Sequence, residues 1–342
     1  MKLAKAVTLR VFELLRSHPW IMAVFGFVSG IASYLLVERR EEVAQAVAIL
    51  MLASWLMLVM ERWLRTLFLK IFGVRLPGTV MRFGTQMVHQ ESLFFVLPFF
   101  FAATTWNHSQ ALFTAALAIF ALISVIDPIY HTQLASRKTL YMVFHAITLF
   151  AVLLVVLPLI LLLDTEQSLQ LALIVALAFS LPSMGGVMPN GHWWRLPATL
   201  MALVTLGAVL WQLRTLIPPA ALSLTGITLS QHVDREQRNP GVSLKTISEE
   251  SLRLDGLFAW TSVRAPRGLR ENIHHVWIYD GDEVDRITLD IEGGGDAGYR
   301  AWTHKLNFPS DVVGHWQIRV VTDSGQLIGL TRFDVTGIST GL

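Results

Sequence analysis

The chain has 342 residues, 53% of them hydrophobic and 15% charged, with a mean hydropathy of +0.52; ordinary globular domains carry about 25% charged residues, so the deficit argues for contact with a bilayer. The net charge of +2 averages two unlike halves, net +6 over residues 1–216 and net −4 over 217–342, and no basic tract or nucleic-acid motif accompanies it. The absence of cysteine excludes disulfides, thiolate metal sites and cysteine nucleophiles.

A hydrocarbon core about 30 Å thick needs roughly 20 apolar residues per helix, because every backbone polar group must be satisfied internally. Seven stretches meet that length, at about 19–37, 43–60, 86–106, 111–130, 140–163, 169–188 and 197–215. The first follows Lys2, Lys5, Arg10 and Arg16 but is too long for a signal-peptide core and lacks a small-residue cleavage site, so it reads as an uncleaved anchor. Gly26 and Gly30 within it have the spacing of close helix packing. Segments 3–17 and 61–75 read as basic amphipathic helices on the inner membrane surface. The seventh stretch, short and ending in Arg214 and the Pro218–Pro219 pair, is the weakest of the set.

Orientation follows from Lys and Arg in the short connections. With the N-terminus inside, segments 1–18, 61–85, 131–139 and 189–196 hold twelve basic residues, whereas loops 38–42, 107–110 and 164–168 hold two. Seven crossings then leave the C-terminus in the periplasm of a Gram-negative bacterium; six would leave it in the cytoplasm.

Residues 217–244, with Pro218, Pro219 and the run DREQRNPG, read as a linker. Beyond 245 the hydrophobic period becomes two. In HHVWIYDGDEVDRITLDI, Asp280-Gly281 marks a hairpin turn, and Ile287, Leu289 and Ile291 alternate with Arg286, Thr288 and Asp290. Asp323-Ser324-Gly325 marks a second turn, after a run in which Trp316, Ile318 and Val320 alternate with His315, Gln317 and Arg319. The expected fold is a membrane all-α domain of about seven transmembrane helices over 1–216, the linker, and an all-β immunoglobulin-like antiparallel sandwich over 245–342.

The order HVWIYDG, ITLDI, GYRAWTHKLNF and GHWQIRVVTDSGQLIGLTRFDV, spanning roughly 250–337, resembles the bacterial domain of unknown function 2914. The positions that carry the resemblance are Trp277, Gly281, Arg300, Trp302, Lys305, Gly314, Trp316, Gly325 and Phe333. The helical half looks like the uncharacterised multi-span region that often precedes this domain in proteobacterial proteins. The resemblance brings no activity; it implies a bacterial envelope protein whose β domain binds or scaffolds.

Two sets of side chains are candidate sites. On strand 299–308, Arg300, Trp302 and His304 share a face with Leu306 and Phe308, while Lys305 lies on the other with Tyr299, Ala301, Thr303 and Asn307. An indole suits a sugar ring or cation and an arginine suits a carboxylate, so Arg300, Trp302, His304 and Lys305, with Trp277 of the hairpin, form the candidate binding set. The competing arrangement, favoured because small sandwiches commonly bury a tryptophan, puts Trp302, Leu306 and Phe308 in the core and Arg300 at the rim. His274, His275, His304 and His315 do not make a metal site, since adjacent histidines on a strand face opposite ways; neither metal nor cofactor is expected.

The second set is ionisable and lies in the helical half: His89, Glu91, Asp127, His131, His145 and His192 all fall towards the cytoplasmic ends of the expected spans. Helix ends in the headgroup region account for most of them, with Trp193 and Trp194 in an aromatic belt; Glu91 and Asp127 fit that account least. The expected protein is a non-enzymatic inner-membrane envelope protein. Its periplasmic sandwich meets a protein partner or cell-wall glycan, and its helices meet lipid or further copies of the chain. The alternative is a transporter or membrane-embedded enzyme working through the His/Glu/Asp cluster.

Overall fold

A computed structural model describes residues 24, 28, 32, 41–60, 66–67, 69–70, 78–184, 194–294 and 297–337. Most of the expected span at 19–37, the amphipathic helices at 3–17 and 61–75, and His192 lie outside the described residues or nearly so. The chain divides into two compact units: Met1–Phe99 with Ala115–Val156 and Ala172–Gly207, and Phe100–Thr114 with Leu157–Leu171 and Ala208–Leu342.

Among the described residues the long helices are α1 (Glu41–Val59), α2 (Gly78–Ala103), α3 (Ala111–Val125), α4 (Lys138–Leu161), α5 (Thr165–Met184) and α6 (Arg195–Gln212). Among the described residues two helices are long and apolar enough to cross a membrane: Lys138–Leu161, at mean hydropathy 2.7, and Pro197–Leu216, at 1.4. The first is 61% buried inside the protein, and the apolar helices Ala48–Met57, Ala111–Val125 and Thr165–Phe179 are shorter. This corrects the expectation of seven spans. Hydropathy windows ran across positions where the chain is polar or broken. The stretch from residue 86 opens with Gln86, His89 and Gln90, all buried on α2. Helix α3 stops at Val125, just before Asp127 and Pro128, and the chain continues as a short π-helix, Ile129–Leu134. Proline has no N–H to extend an α-helical ladder, and π-turns are found where a helix accommodates such a break. Helix α4 is apolar on all sides, and Ala151–Val156 are buried without interruption, as befits a central helix.

The second unit is β-rich. Strands β1 (Ser223–Ser230), β5 (Leu257–Arg264) and β8 (Tyr299–Lys305) form an antiparallel sheet in the order β1-β5-β8. Strands β4 (Thr246–Ser248), β6 (Arg270–Tyr279), β7 (Asp282–Glu292), β9 (Gly314–Thr322) and β10 (Leu327–Thr336) form a second sheet in the order β4-β10-β9-β6-β7. The pairing of β4 with β10 is parallel, so the region is a mixed β structure rather than the antiparallel sandwich expected. Strand β4 is reached through a long connection from β1 and leads into the short helix α7 (Glu249–Asp255), capped at Ser248, whose hydroxyl accepts the Ser251 N–H. The stretch expected as a linker holds β1 and the small hairpin of β2 (Val233–Asp234) and β3 (Asn239–Pro240). Leu229, Leu257, Ala259, Trp277, Trp316 and Phe333 belong to one core drawn from both sheets.

Both hairpin turns form where the sequence places them. Asp280 and Gly281 have φ of 46° and 100°, the conformation that suits a tight turn between twisted strands. At the second turn the Gly325 N–H donates to Thr322 O, and Gly325 has φ 82°. The same unit contains two helix connections. Gln110 Nε2 donates to Leu327 O (3.0 Å), Arg214 Nε to Ser324 O (2.7 Å), and Gln326 Nε2 to Ile217 O (2.9 Å). These bonds fasten the α2–α3 connection and the end of α6 to the β9–β10 turn.

Candidate functional site

Strand β8 runs along the edge of the three-stranded sheet, with Ala301, Thr303 and Lys305 buried on the inner side. Arg300, Trp302 and His304 therefore point outward, and Trp302 is half-buried against Val233, Phe258 and Trp260 rather than in the main core. Alternation fails beyond Lys305 because the strand ends there: Leu306 is exposed, and Phe308 packs edge-on to Trp277 and Trp316 at 5.9 and 5.5 Å. Core aromatic volume comes from a residue past the strand and from the opposite sheet.

What covers Trp302 is the β2–β3 hairpin. Trp260 Nε1 donates to Arg238 O (2.9 Å), and Arg300 Nη1 donates to Gln237 O (3.1 Å) and Asn239 Oδ1 (2.8 Å). The Arg238 guanidinium lies 5.1 Å from the Tyr299 ring centroid and 5.7 Å from that of Trp302. Arg238 holds φ 54°, a left-handed conformation uncommon outside Gly, Asn and Asp, and these contacts keep it there. Between hairpin and sheet edge lies a cleft of about 230 Å³, lined by Glu236, Arg238, Glu292, Tyr299 and Arg300 with a glycine floor. Gly298, at φ 79°, belongs to that floor; a Cβ there would meet Ser262 Oγ at 2.7 Å. His304 stands apart, stacked on Phe258 at 3.8 Å, with its Nε2 2.9 Å from Asp255 O.

The remaining members of the binding set are buried. Trp277 is fully buried in the core between the sheets. Lys305, 6% exposed, donates to Asp285 Oδ2 on β7 at 2.5 Å. Beside it His275 is sealed between Thr261 Oγ1 and Thr303 Oγ1, each at 3.0 Å, and burial draws its pKa down to about 4. Because the folded-state value lies below the usual 6.5, unfolding takes up a proton, so stability is present above pH 6.5 and lost as pH falls towards 4. That window is worth about 3 kcal/mol at roughly 1.4 kcal/mol per pK unit. His275→Gln is expected to flatten the acid limb of the β-unit unfolding curve, measured by urea denaturation at pH 4.5 and 7; an unchanged limb would remove His275 from the account.

Two of the six ionisable residues of the helical set, His89 and His145, meet in the first unit. His89 is fully buried; its Nδ1 is 2.8 Å from the Tyr130 hydroxyl and its Nε2 is 2.8 Å from His145 Nδ1. The Trp55 ring lies tilted against His145, with centroids 4.7 Å apart, and its Nε1 donates to Ser92 Oγ (2.9 Å). Below this chain Gln86 Nε2 donates to Asp127 Oδ1 (2.7 Å) and Ser124 O (3.0 Å). Asp127 thus joins Gln86 rather than the imidazoles. His131 makes ring contact with its neighbour Tyr130, Glu91 is half-buried on α2, and His192 is outside the described residues. Among the described residues no three His, Asp or Glu side chains are grouped to hold a metal ion. Tyr130, Trp55, Ser92 and Gln86 were not in the sequence-derived set. Gln86, His89 and Gln90 at i, i+3 and i+4 were the available signal, a polar stripe inside an apolar helix.

The profile of a family of unknown function, DUF5924, matches residues 1–259, and that of a protein of unknown function, DUF2914, matches residues 270–335, inside the stretch that carried the resemblance. No curated protein matches. Among solved structures, the Pseudomonas fluorescens alkylpurine DNA glycosylase AlkC, bound to DNA containing an abasic site analog, aligns with 73% of this chain and 99% of its own. Its identity is 10% and its TM-score 0.21, too low to bear on fold or chemistry.

Proposed function

The chain belongs to the DUF5924 family of unknown function, and from there we propose that it is a bilayer-anchored protein of the bacterial envelope whose β unit binds a cell-wall glycan without acting on it. The anchor reading is supported by apolar side chains that are exposed among the described residues. On α6, Met201 is 70% and Val204 72% exposed, with Trp194 preceding the apolar segment and Trp211 near its end, where Arg214 lies 4.9 Å from the ring. Apolar surface of that extent bounded by interfacial tryptophans suits lipid.

The observation that carries the binding reading is the cleft between the β2–β3 hairpin and β8. One edge of the Arg300 guanidinium is fixed by Gln237 and Asn239, so the side chain is oriented before any ligand arrives. Glu236 and Glu292 supply acceptors and the two arginines supply donors within one small concavity. Sugar hydroxyls both donate and accept, and a guanidinium suits the carboxylate that cell-wall saccharides carry.

A second reading keeps the Tyr130–His89–His145 chain for proton or solute movement, because a continuous hydrogen-bonded line of side chains in a helical unit is a common form of proton relay. Binding of soluble peptidoglycan fragments to the full chain in nanodiscs separates the two. Arg300→Ala is expected to weaken binding by about tenfold or more, the scale of one charge-assisted contact. Failure of the wild type to bind, or equal binding by the variant, overturns the glycan reading. Loss of the cellular phenotype in His89→Phe, with Arg300→Ala silent, would establish the second instead.

A further inference from the structure

Strand β6 begins with Arg270 and Glu271, and alternation turns Glu271 inward, where it is 3% exposed. Among the described residues it pairs with no cation. Its Oε2 accepts the Thr165 backbone N–H at 2.8 Å and its Oε1 accepts the Thr165 hydroxyl at 2.8 Å. Thr165 is the first residue of α5, and Asp164 before it caps the helix, its Oδ1 accepting the Gln167 N–H at 2.7 Å. Glu271 thus takes the helix-terminal N–H that Asp164 leaves over. The turn it holds is not relaxed: Leu162 sits at φ 52°, a conformation costly for a non-glycine residue. All of these residues, 157–171 and β6, belong to the same compact unit.

We infer that the Glu271–Thr165 contact is a proton-operated latch, which holds the α4–α5 turn on strand β6 more firmly as the surroundings acidify. Two features beyond the geometry decide the direction. Burial, opposed by the two bonds from Thr165, pushes the Glu271 pKa up to about 7. The charged groups acting on it are Asp164 from the turn and Asp323 from the β9–β10 turn, both negative, and each raises it further. Asp323 is itself held by His274 Nε2 at 2.5 Å and Asn272 Nδ2 at 3.3 Å. A carboxyl whose closed-state pKa exceeds its open-state value near 4.5 favours closure below 4.5, and the advantage declines as pH rises to about 7. Protonation need not break the contact: the amide N–H keeps an acceptor oxygen, and the Thr165 hydroxyl reverses to accept the new proton. Ionisation leaves a buried anion among anions, with a strained turn ready to lift.

The experiment is amide hydrogen exchange on segment 162–171 of the full chain in nanodiscs between pH 5 and 8, corrected for the intrinsic rate. The wild-type opening constant is expected to rise by up to about tenfold per pH unit from 5 to 7 and to level off above. Glu271→Gln keeps an acceptor for the amide and removes the titration, so its profile should be flat while the segment stays protected. Asp323→Asn should move the wild-type midpoint to lower pH. A flat wild-type profile, or a Glu271→Gln profile as steep as the wild type, overturns the latch; so does an Asp323→Asn midpoint that does not move.

Discussion

Trp277→Ala is expected to destabilise the β unit by about 3–5 kcal/mol, the range for removing a large aromatic from a closed core. The indole is fully buried, edge-on to Phe308 at 5.9 Å and Phe333 at 6.4 Å, in a core to which both sheets contribute. Neighbours on two separate sheets cannot collapse onto the hole without breaking strand pairing. Thermal and urea unfolding of the full chain, followed by near-ultraviolet circular dichroism, measures the loss; a cost under 1 kcal/mol would mean the layers can close over the gap. The phenylalanine variants sharpen this. Trp277 Nε1 has no hydrogen-bond partner among the described residues, whereas Trp316 Nε1 donates to Val312 O at 2.8 Å. Trp277→Phe therefore removes a buried donor that already lacks an acceptor, while Trp316→Phe strands a carbonyl, so the second should cost more.

The shared core also says what the family boundaries mean physically. The DUF5924 match ends at residue 259, inside β5, and the DUF2914 match begins at 270, at the start of β6. Strands β6, β7, β8, β9 and nearly all of β10 belong to the second match, whereas β1, β4, α7 and the first three residues of β5 fall in the first. Leu229 of β1 and Leu257 of β5 supply the layer against which Trp277 and Trp316 are buried. One hydrophobic core is thus assembled from both families, and the C-terminal match is not a free-standing layer here.

The β strands were legible because period-two alternation is a local property. Trp316, Ile318 and Val320 are buried, and Arg286, Thr288 and Asp290 are exposed, as their order dictates. Strand β1 was not legible: SLTGITLS is short, mixed and interrupted by Gly226, and only pairing with β5 makes it a strand. The direction of Trp302 was not legible either, because the inner face of β8 is built from Ala301, Thr303 and Lys305, residues that composition assigns to solvent. The two polar ones are compensated by distant partners, Thr303 by His275 and Lys305 by Asp285. The helices show the opposite failure. Apolar composition overstated span length, since a window average hides one buried polar stripe or one proline break. The imidazole pair His89 and His145 was visible in sequence as ionisable residues among apolar ones, but Tyr130 reaches them through a π-turn that no periodicity announces.

Asp285→Asn is expected to cost about 2–3 kcal/mol, and Lys305→Met less than about 1 kcal/mol, although both break the same ion pair. The asymmetry comes from where the two charges sit. The Lys305 side chain is 6% exposed and the Asp285 side chain 39%. Without Asp285 the ammonium is left in the interior with, among the described residues, the Phe308 ring 5.5 Å away to offset its lost hydration. Without Lys305 the partly exposed carboxylate is free to hydrate, and a methionine stem replaces the lysine stem with little change in volume. The consequence extends beyond one residue, because β7 and β8 are edge strands of different sheets and this pair joins them. Loss of the aspartate should therefore loosen β8 locally, raising amide exchange at 299–305 before global unfolding, whereas Lys305→Met should leave that strand protected. Equal losses for the two variants in urea titrations would mean that the interior of this edge is wet, and the buried ammonium would cease to explain why a lysine occupies the inner face of the strand.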